Sequence, residues 1–201
     1  MPLATDIFRL MVEEEERRRL VRRYEILGFK ENPVVPCRGV VAKLDAPLRD
    51  VIPVLFLRNF GKAAYVPGEN ILTLRHGGRL ITFYPDGRVA LNRAWSPEAA
   101  RAVLEEVLDM VNEAYREFLS EGPPSEEEIR RALELSWREL LKLLPGTNCG
   151  RCGRPTCYSL AIDVLRGEAR LSDCRPLMED VVAVRRAREV LGPRLARALG
   201  L

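Results

Sequence analysis

Apolar positions recur along the chain with two different periods, and the changes of period divide it into elements. From Thr5 to Tyr24, Ile7, Leu10, Met11, Leu20 and Val21 sit among a block of acids followed by a block of bases, which predicts a charged, largely solvated helix. In that stretch Glu13 with Arg17, Glu14 with Arg18 and Glu15 with Arg19 fall at i,i+4 in the favourable order. After a proline-punctuated link from Asn32 to Pro36, the β-branched alternation of Arg38 to Leu44 predicts a strand. Asp45 and Pro47 suit a helix start, so a helix is expected over Leu48 to Phe60, with Pro53 in its first turns or at a bend. Four short apolar runs follow: Lys62 to Val66, Asn70 to Arg75, Arg79 to Tyr84, and Arg88 to Asn92. Pro67-Gly68, Gly77-Gly78 and Pro85-Asp86-Gly87 supply tight turns between them, so these runs read as a meander of antiparallel strands. Leu72 and Leu74, Ile81 and Phe83, and Val89 and Leu91 occupy alternate positions, as a sheet with one buried face requires.

The period returns to 3.6 after Ser96, a helix cap, and Pro97 in the first turn. Val103, Leu104, Val107, Leu108, Val111, Tyr115, Phe118 and Leu119 then form the stripe that would cover the sheet. The resulting class is α+β, an antiparallel sheet with helices on one face. Its order of strand, helix, four strands and helix resembles one half of the TATA-binding-protein-like fold, a likeness that does not by itself imply DNA binding. Glu121 to Pro124 reads as a linker, giving an α+β domain over residues 1–121 and an α-helical module over 122–201. Ser125 and Glu128 form a capping box opening a helix through Ile129, Leu133, Trp137, Leu140, Leu141 and Leu144, which Pro145-Gly146 stops. Pro155 to Arg166 is expected as a short helix ended by Gly167. The stretch from Leu177 to Leu199 is expected as a last helix that Gly192-Pro193 can break.

Charge and composition narrow the functional classes. The 32 basic residues are nearly matched by 29 acidic ones, so no global field calls for nucleic acid or anionic lipid as the main partner. The longest apolar stretch, Val51 to Leu57, is far below the roughly 18 residues that cross a bilayer. The amino-terminal stretch shows no basic-then-apolar leader, and the expectation is a cytoplasmic protein with no membrane association. Of the five cysteines, four lie close together near the carboxyl end: Cys149, Cys152, Cys157 and Cys174. In a reducing compartment such a cluster points to a metal site in preference to disulfides.

The spacing is C-x2-C-x4-C-x16-C, and Gly150 and Gly153 let the intervening backbone turn so that the thiolates converge. Four thiolates suit either zinc or an iron–sulfur cluster, but a compact triplet with one remote cysteine favours the cluster over the paired knuckles of structural zinc. The run Leu143-Leu144-Pro145-Gly146-Thr147-Asn148-Cys149-Gly150-Arg151-Cys152-Gly153-Arg154-Pro155-Thr156-Cys157, followed by Gly167 and by Cys174-Arg175-Pro176-Leu177, closely resembles a known four-cysteine [4Fe-4S] module. That module occurs in the large subunit of the corrinoid iron–sulfur protein and in the B subunit of the Rnf electron-transport complex. The resemblance implies that Cys149, Cys152, Cys157 and Cys174 ligate one [4Fe-4S] cluster. The remaining residues are too few for a corrinoid-binding barrel, which needs about 250, and they hold neither a ferredoxin repeat nor an Rnf-type membrane anchor. The whole architecture is similar to small uncharacterised archaeal iron–sulfur proteins that pair an α/β domain with this module.

A cluster whose irons are all held by thiolate leaves no open position for substrate. The first reading is therefore one-electron transfer, in which the protein serves as accessory or donor to a larger redox partner. The alternatives are a binding module stapled by the cluster, with nucleic acid as one candidate ligand of its sheet, and an enzyme with its active site between the modules. Arg151, Arg154 and Arg175 sit beside ligands in sequence, and they read either as a cationic patch that tunes potential and docks an acidic partner or as exposed loop arginines. Cys37 is expected as a packing residue at a strand start, His76 as a hairpin-turn residue, and Trp95 and Trp137 as partly buried packing groups. No catalytic dyad or phosphate-binding glycine loop stands out.

Overall fold

The computed structural model describes residues 3–31, 38–94 and 96–201. Cys37, Trp95 and the link from Asn32 to Pro36 lie outside them. The chain divides into two compact units, one of residues 1–55 and 65–123, the other of residues 56–64 and 124–201.

The first unit begins with helix α1 (Leu3–Arg17), followed by strands β1 (Tyr24–Glu31) and β2 (Arg38–Leu44) and helix α2 (Ile52–Arg58), whose last residues belong to the second unit. Strands β3 (Ala63–Val66), β4 (Ile71–His76), β5 (Arg79–Phe83) and β6 (Arg88–Ala94) come next, and then the 25-residue helix α3 (Pro97–Glu121). The six strands form one sheet in the order β1-β2-β6-β5-β4-β3, with β1–β2, β2–β6, β6–β5 and β5–β4 antiparallel. This confirms the α+β class. Each of the four predicted meander strands is present, as is the strand from Arg38 to Leu44.

The alternation does what a half-buried sheet requires of it. Val40, Ala42 and Leu44 of β2, Leu72 and Leu74 of β4, Ile81 and Phe83 of β5, and Val89 and Leu91 of β6 are all buried. On the opposite face Thr73 and Thr82, paired in register, share a hydrogen bond of 3.1 Å between hydroxyls. Helix α3 buries Val103, Leu104, Val107, Leu108 and Val111, and Ser96 caps it by accepting the amide of Ala99 at 3.1 Å. Asn112 is one of two buried polar residues of that helix, with Glu117. Its Oδ1 accepts the amides of Leu20 (2.9 Å) and Val21 (3.0 Å), and its Nδ2 donates to the Val21 carbonyl (2.8 Å), which anchors the chain entering β1 to α3.

Three expectations need correction. The amino-terminal helix ends at Arg17, and the sequence to Tyr24 leads into the edge strand β1. No residue of β1 whose side chain is described is buried, and its register slips between Ile26 and Gly28, so no two-residue period marks it. Of the three expected i,i+4 pairs only Glu14 with Arg18 forms; Glu13 pairs with Arg9, Glu15 with Arg116 of α3, and Arg19 with Glu16. The predicted helix from Leu48 is shorter, running from Ile52 to Arg58.

In the second unit the helices are shorter than the apolar stripes suggested. The helix opened by Ser125 is two, α4 (Glu126–Glu134) and α5 (Trp137–Leu143), because Ser136 and Glu139 form a second capping box that restarts the chain. Helix α6 (Cys157–Leu165) is followed by a 3-10 turn (Leu171–Asp173) and α7 (Arg175–Glu179). Asp180 then caps α8 (Val181–Leu191), and Gly192-Pro193 separates α8 from α9 (Pro193–Ala198), as expected. Gly61 and Gly167 cross closely: a Cβ on Gly61 would lie 2.6 Å from the Gly167 amide nitrogen, and both residues have positive φ. This crossing packs the 56–64 segment on the end of α6.

Replacing Asn112 with Ala is expected to cost about 3 kcal/mol, since the buried amide of Val21 and the half-buried amide of Leu20 lose their acceptor. The measurement is urea unfolding, and a loss below about 1 kcal/mol would mean that water replaces the side chain.

Candidate metal centre

The four clustered cysteines arrive from three segments. Cys149 and Cys152 lie on the loop after α5, Cys157 opens α6, and Cys174 is the residue that caps α7. All four line one small cavity, with Leu160 and Pro176 as its apolar wall. Burial grades around the ring: Cys149 is exposed, Cys152 half-buried, and Cys157 and Cys174 buried. The void between them is about 10 Å3, the space of a single water. Among the described residues no three His, Cys, Asp or Glu side chains are gathered closely enough for a single metal ion. The donor set itself fits an iron–sulfur core, being four sulfurs around one cavity whose lining contains no carboxylate.

Local hydrogen bonds set the loop. Asn148, in the left-handed region at φ 49°, accepts the amide of Cys157 on Oδ1 at 2.8 Å and so ties the start of the loop to the start of α6. Thr156 caps that helix by accepting the Ser159 amide at 3.0 Å. Arg154 reaches furthest. Its Nη1 donates to the Cys152 carbonyl (3.2 Å), its Nε to Asp163 of α6 (3.0 Å), and its Nη2 to the Glu168 carbonyl (3.2 Å). Asp173, the residue before Cys174, lies 3.7 Å from Nη1. One guanidinium thus holds the first cysteine pair against the segments that carry Cys157 and Cys174, a use of its planar fork that an ammonium cannot copy.

The thiols differ in acidity. The Arg151 backbone N–H, with the Thr147 hydroxyl and the Arg151 charge assisting, holds Cys149 below the usual thiol range. Burial pushes Cys174 up, the Leu177 amide partly opposes this, and the negative charge of Cys157, Cys152 and Cys149 raises it further.

The cationic patch read from the sequence has another form. Arg151 makes a two-pronged pair with Glu179 (2.7 and 3.2 Å), and Arg154 is held by Asp163 and Asp173, so both charges are internally matched. Arg175 is exposed at the start of α7. Sequence reasoning missed Asn148, Asp163, Asp173 and Glu179; Asn148 beside the first cysteine was the one local signal, as a residue type that tolerates the left-handed region. His76 ends β4, and its Nε2 lies 2.7 Å from Glu106 of α3 at an exposed position. Trp137 is half-buried and packs edge-on against Tyr158 at 5.1 Å.

Residues 144–176 match a family model described as "Putative Fe-S cluster", which covers this loop and all four cysteines. The cofactor of the segment is accordingly of the iron–sulfur type. Among curated proteins, the chain is 40% identical over 72 residues to the B subunit of the ion-translocating oxidoreductase complex of Rhodobacter capsulatus, covering 36% of this chain and 33% of that protein. It is 45% identical over 42 residues to the gamma 1 subunit of the acetyl-CoA decarbonylase/synthase complex of Methanosarcina thermophila, covering 21% and 9%. Against the large subunit of the corrinoid/iron-sulfur protein of Moorella thermoacetica it is 41% identical over 59 residues, covering 29% and 12%. The chain thus spans a third or less of the length of these relatives. No solved structure gives a significant match.

Two outcomes are expected. In the metal-free protein near neutral pH, Cys149 should be alkylated by iodoacetamide well before Cys174, as read by peptide mass mapping, because it is both exposed and the more acidic thiol; equal rates would show that the ring is open on every side. Arg154→Lys should lose most of the iron and sulfide retained by the natural protein after anaerobic reconstitution, since an ammonium cannot hold the three segments together. Full retention would remove Arg154 from the site's architecture.

Proposed function

We propose that Cys149, Cys152, Cys157 and Cys174 ligate one [4Fe-4S] cluster and that the protein passes single electrons to or from a larger redox partner. The observation that carries this reading is the convergence of four thiols from three segments on one cavity within the stretch that matches the iron–sulfur family model. When bound, the cluster supplies a one-electron couple. With every iron held by sulfur it offers no position for substrate. The residues around the cavity act on that couple through charge and hydrogen bonding: the amides near Cys149 and Cys174 favour added negative charge, and Glu179 cancels Arg151. Relatives whose names place them in oxidoreductase and synthase complexes support a redox partner.

The division into an α+β domain over 1–121 and a cluster module over 122–201 draws support from the two compact units, with residues 56–64 grouped in the second. The likeness of the first domain to half of a TATA-binding-protein-like fold is supported by the order β2, α2, β3 to β6, α3, to which α1 and β1 are additions. Among the described residues no helix is long and apolar enough to cross a membrane. The cytoplasmic location expected from the sequence belongs to the same proposal.

Anaerobic purification followed by iron, sulfide and zinc analysis should give about four irons and four sulfides per chain, with an electron paramagnetic resonance signal that appears on dithionite reduction. One zinc without sulfide would overturn the reading. Glu179→Gln should raise the midpoint potential, because Arg151 then faces the negative site uncancelled. Film voltammetry reads the shift, and an unchanged potential would show that this ion pair lies outside the site's field.

A further inference from the structure

A groove of about 300 Å3 lies beside the cysteine cavity, entirely within the second unit. Leu144 and Lys142 from the end of α5 form one side, Pro176 and Leu177 of α7 the floor, and Val182 and Arg186 of α8 the other side. Pro176 lines this groove and the cysteine cavity alike, so one residue separates the two. A group seated in the groove therefore touches a residue that also lines the cavity of the four sulfurs.

The surface around it is apolar and uncovered. Val182 is 76% exposed and its neighbour Val181 is 71% exposed, and both stand at the start of α8 where Asp180 caps the helix. Met178 adds a further exposed apolar side chain on α7. Two adjacent valines so far in water on an amphipathic helix mark a contact surface. The groove lacks the convergent polar groups that fix a small substrate. Its one carboxylate, Asp180, is engaged by the amides of Val182 and Ala183 at 3.0 Å each.

Its charge indicates the occupant. Lys142 and Arg186 make no ion pair among the described residues, in contrast to Arg151 and Arg154, which are matched internally. Residues 124–201 hold 14 Lys and Arg against 11 Asp and Glu, which is the whole of the chain's +3. An apolar patch edged by two cations that are outside any close ion pair complements a protein that surrounds its own exposed redox centre with carboxylates.

We infer that this groove is the docking surface for a small acidic electron-carrier protein, which places its redox centre against Pro176. The inference rests on the electron-transfer reading and names its partner. One electron leaves the reduced carrier and enters the site held by the four cysteines; no bond is made or broken and no proton need move. Lys142 and Arg186 steer the encounter, and Val181 and Val182 exclude water once it has formed.

The test uses the full-length cluster-loaded protein, with a reduced small acidic ferredoxin as the probe in anaerobic stopped-flow. Adjacent residues on α8 provide the contrast, because Arg186 lines the groove whereas Arg185 lines a separate cavity with Pro193 and Arg197. Arg186→Glu should slow reduction by the ferredoxin about tenfold at low salt, with the difference fading as salt is raised, while Arg185→Glu changes it less than about twofold. Val182→Asp should slow it at every salt concentration. All three variants should retain their iron and be reduced by dithionite at the natural rate. Equal slowing by Arg185→Glu and Arg186→Glu would overturn the groove in favour of the general surface charge, as would unchanged rates in all variants, and in both cases the electron-transfer reading would stand. A cluster that neither dithionite nor the ferredoxin reduces would overturn both.

Discussion

Four thiols spread over 26 residues line one cavity although they repel one another once ionised, and local hydrogen bonds in the second unit hold the segments that carry them. The C-x2-C pair can converge through a single turn. Cys157 and Cys174 are separated by a helix and a 3-10 turn, so their approach depends on how α6 and α7 pack. Arg154 supplies the connection, binding the carbonyl of Cys152, the far end of α6 and the turn that leads to Cys174. A guanidinium suits this role because it stays charged and offers several donors in one plane. The same charge offsets part of the repulsion that ionised sulfurs create.

The two units illustrate different routes from sequence to structure. In the first, period and turn chemistry sufficed wherever a strand had a buried face: Leu72, Leu74, Ile81 and Phe83 announced β4 and β5 because each is buried at alternate positions. Strand β1 was silent because it lies at the sheet edge with no buried residue among its described side chains and a slipped register, so nothing in its sequence repeats at two. In the second unit the apolar stripes were real, but the breaks at Ser136 and Asp180 were hidden. A capping residue in the middle of a continuous stripe reads as one more polar position until the backbone is seen to turn there. The cysteines were legible at once from spacing, since their chemistry is carried by residue type. Their supports were not, because Asp163, Asp173 and Glu179 are ordinary surface acids until the fold brings them to Arg154 and Arg151.

Electrostatics around the site follow from those pairings. Arg151 and Arg154 are locked to carboxylates, which holds the loop and offsets their charge, whereas Arg175 stands exposed beside Cys174. The cations left over stand a few side chains away, beside exposed valines. Structural and recognition roles of Arg and Lys are thus separated within one small unit, and a count of basic residues near the ligands would have merged them.

The crossing of Gly61 and Gly167 means that the unit bearing the cysteines is discontinuous in the chain. A nine-residue segment running from the end of α2 into the start of β3 packs against the end of α6, at a separation no side chain could tolerate. Excision at residue 122 would accordingly yield a piece with all four clustered cysteines and an uncovered flank. Insertions between α2 and β3, though remote in sequence from every cysteine, would be felt at the site.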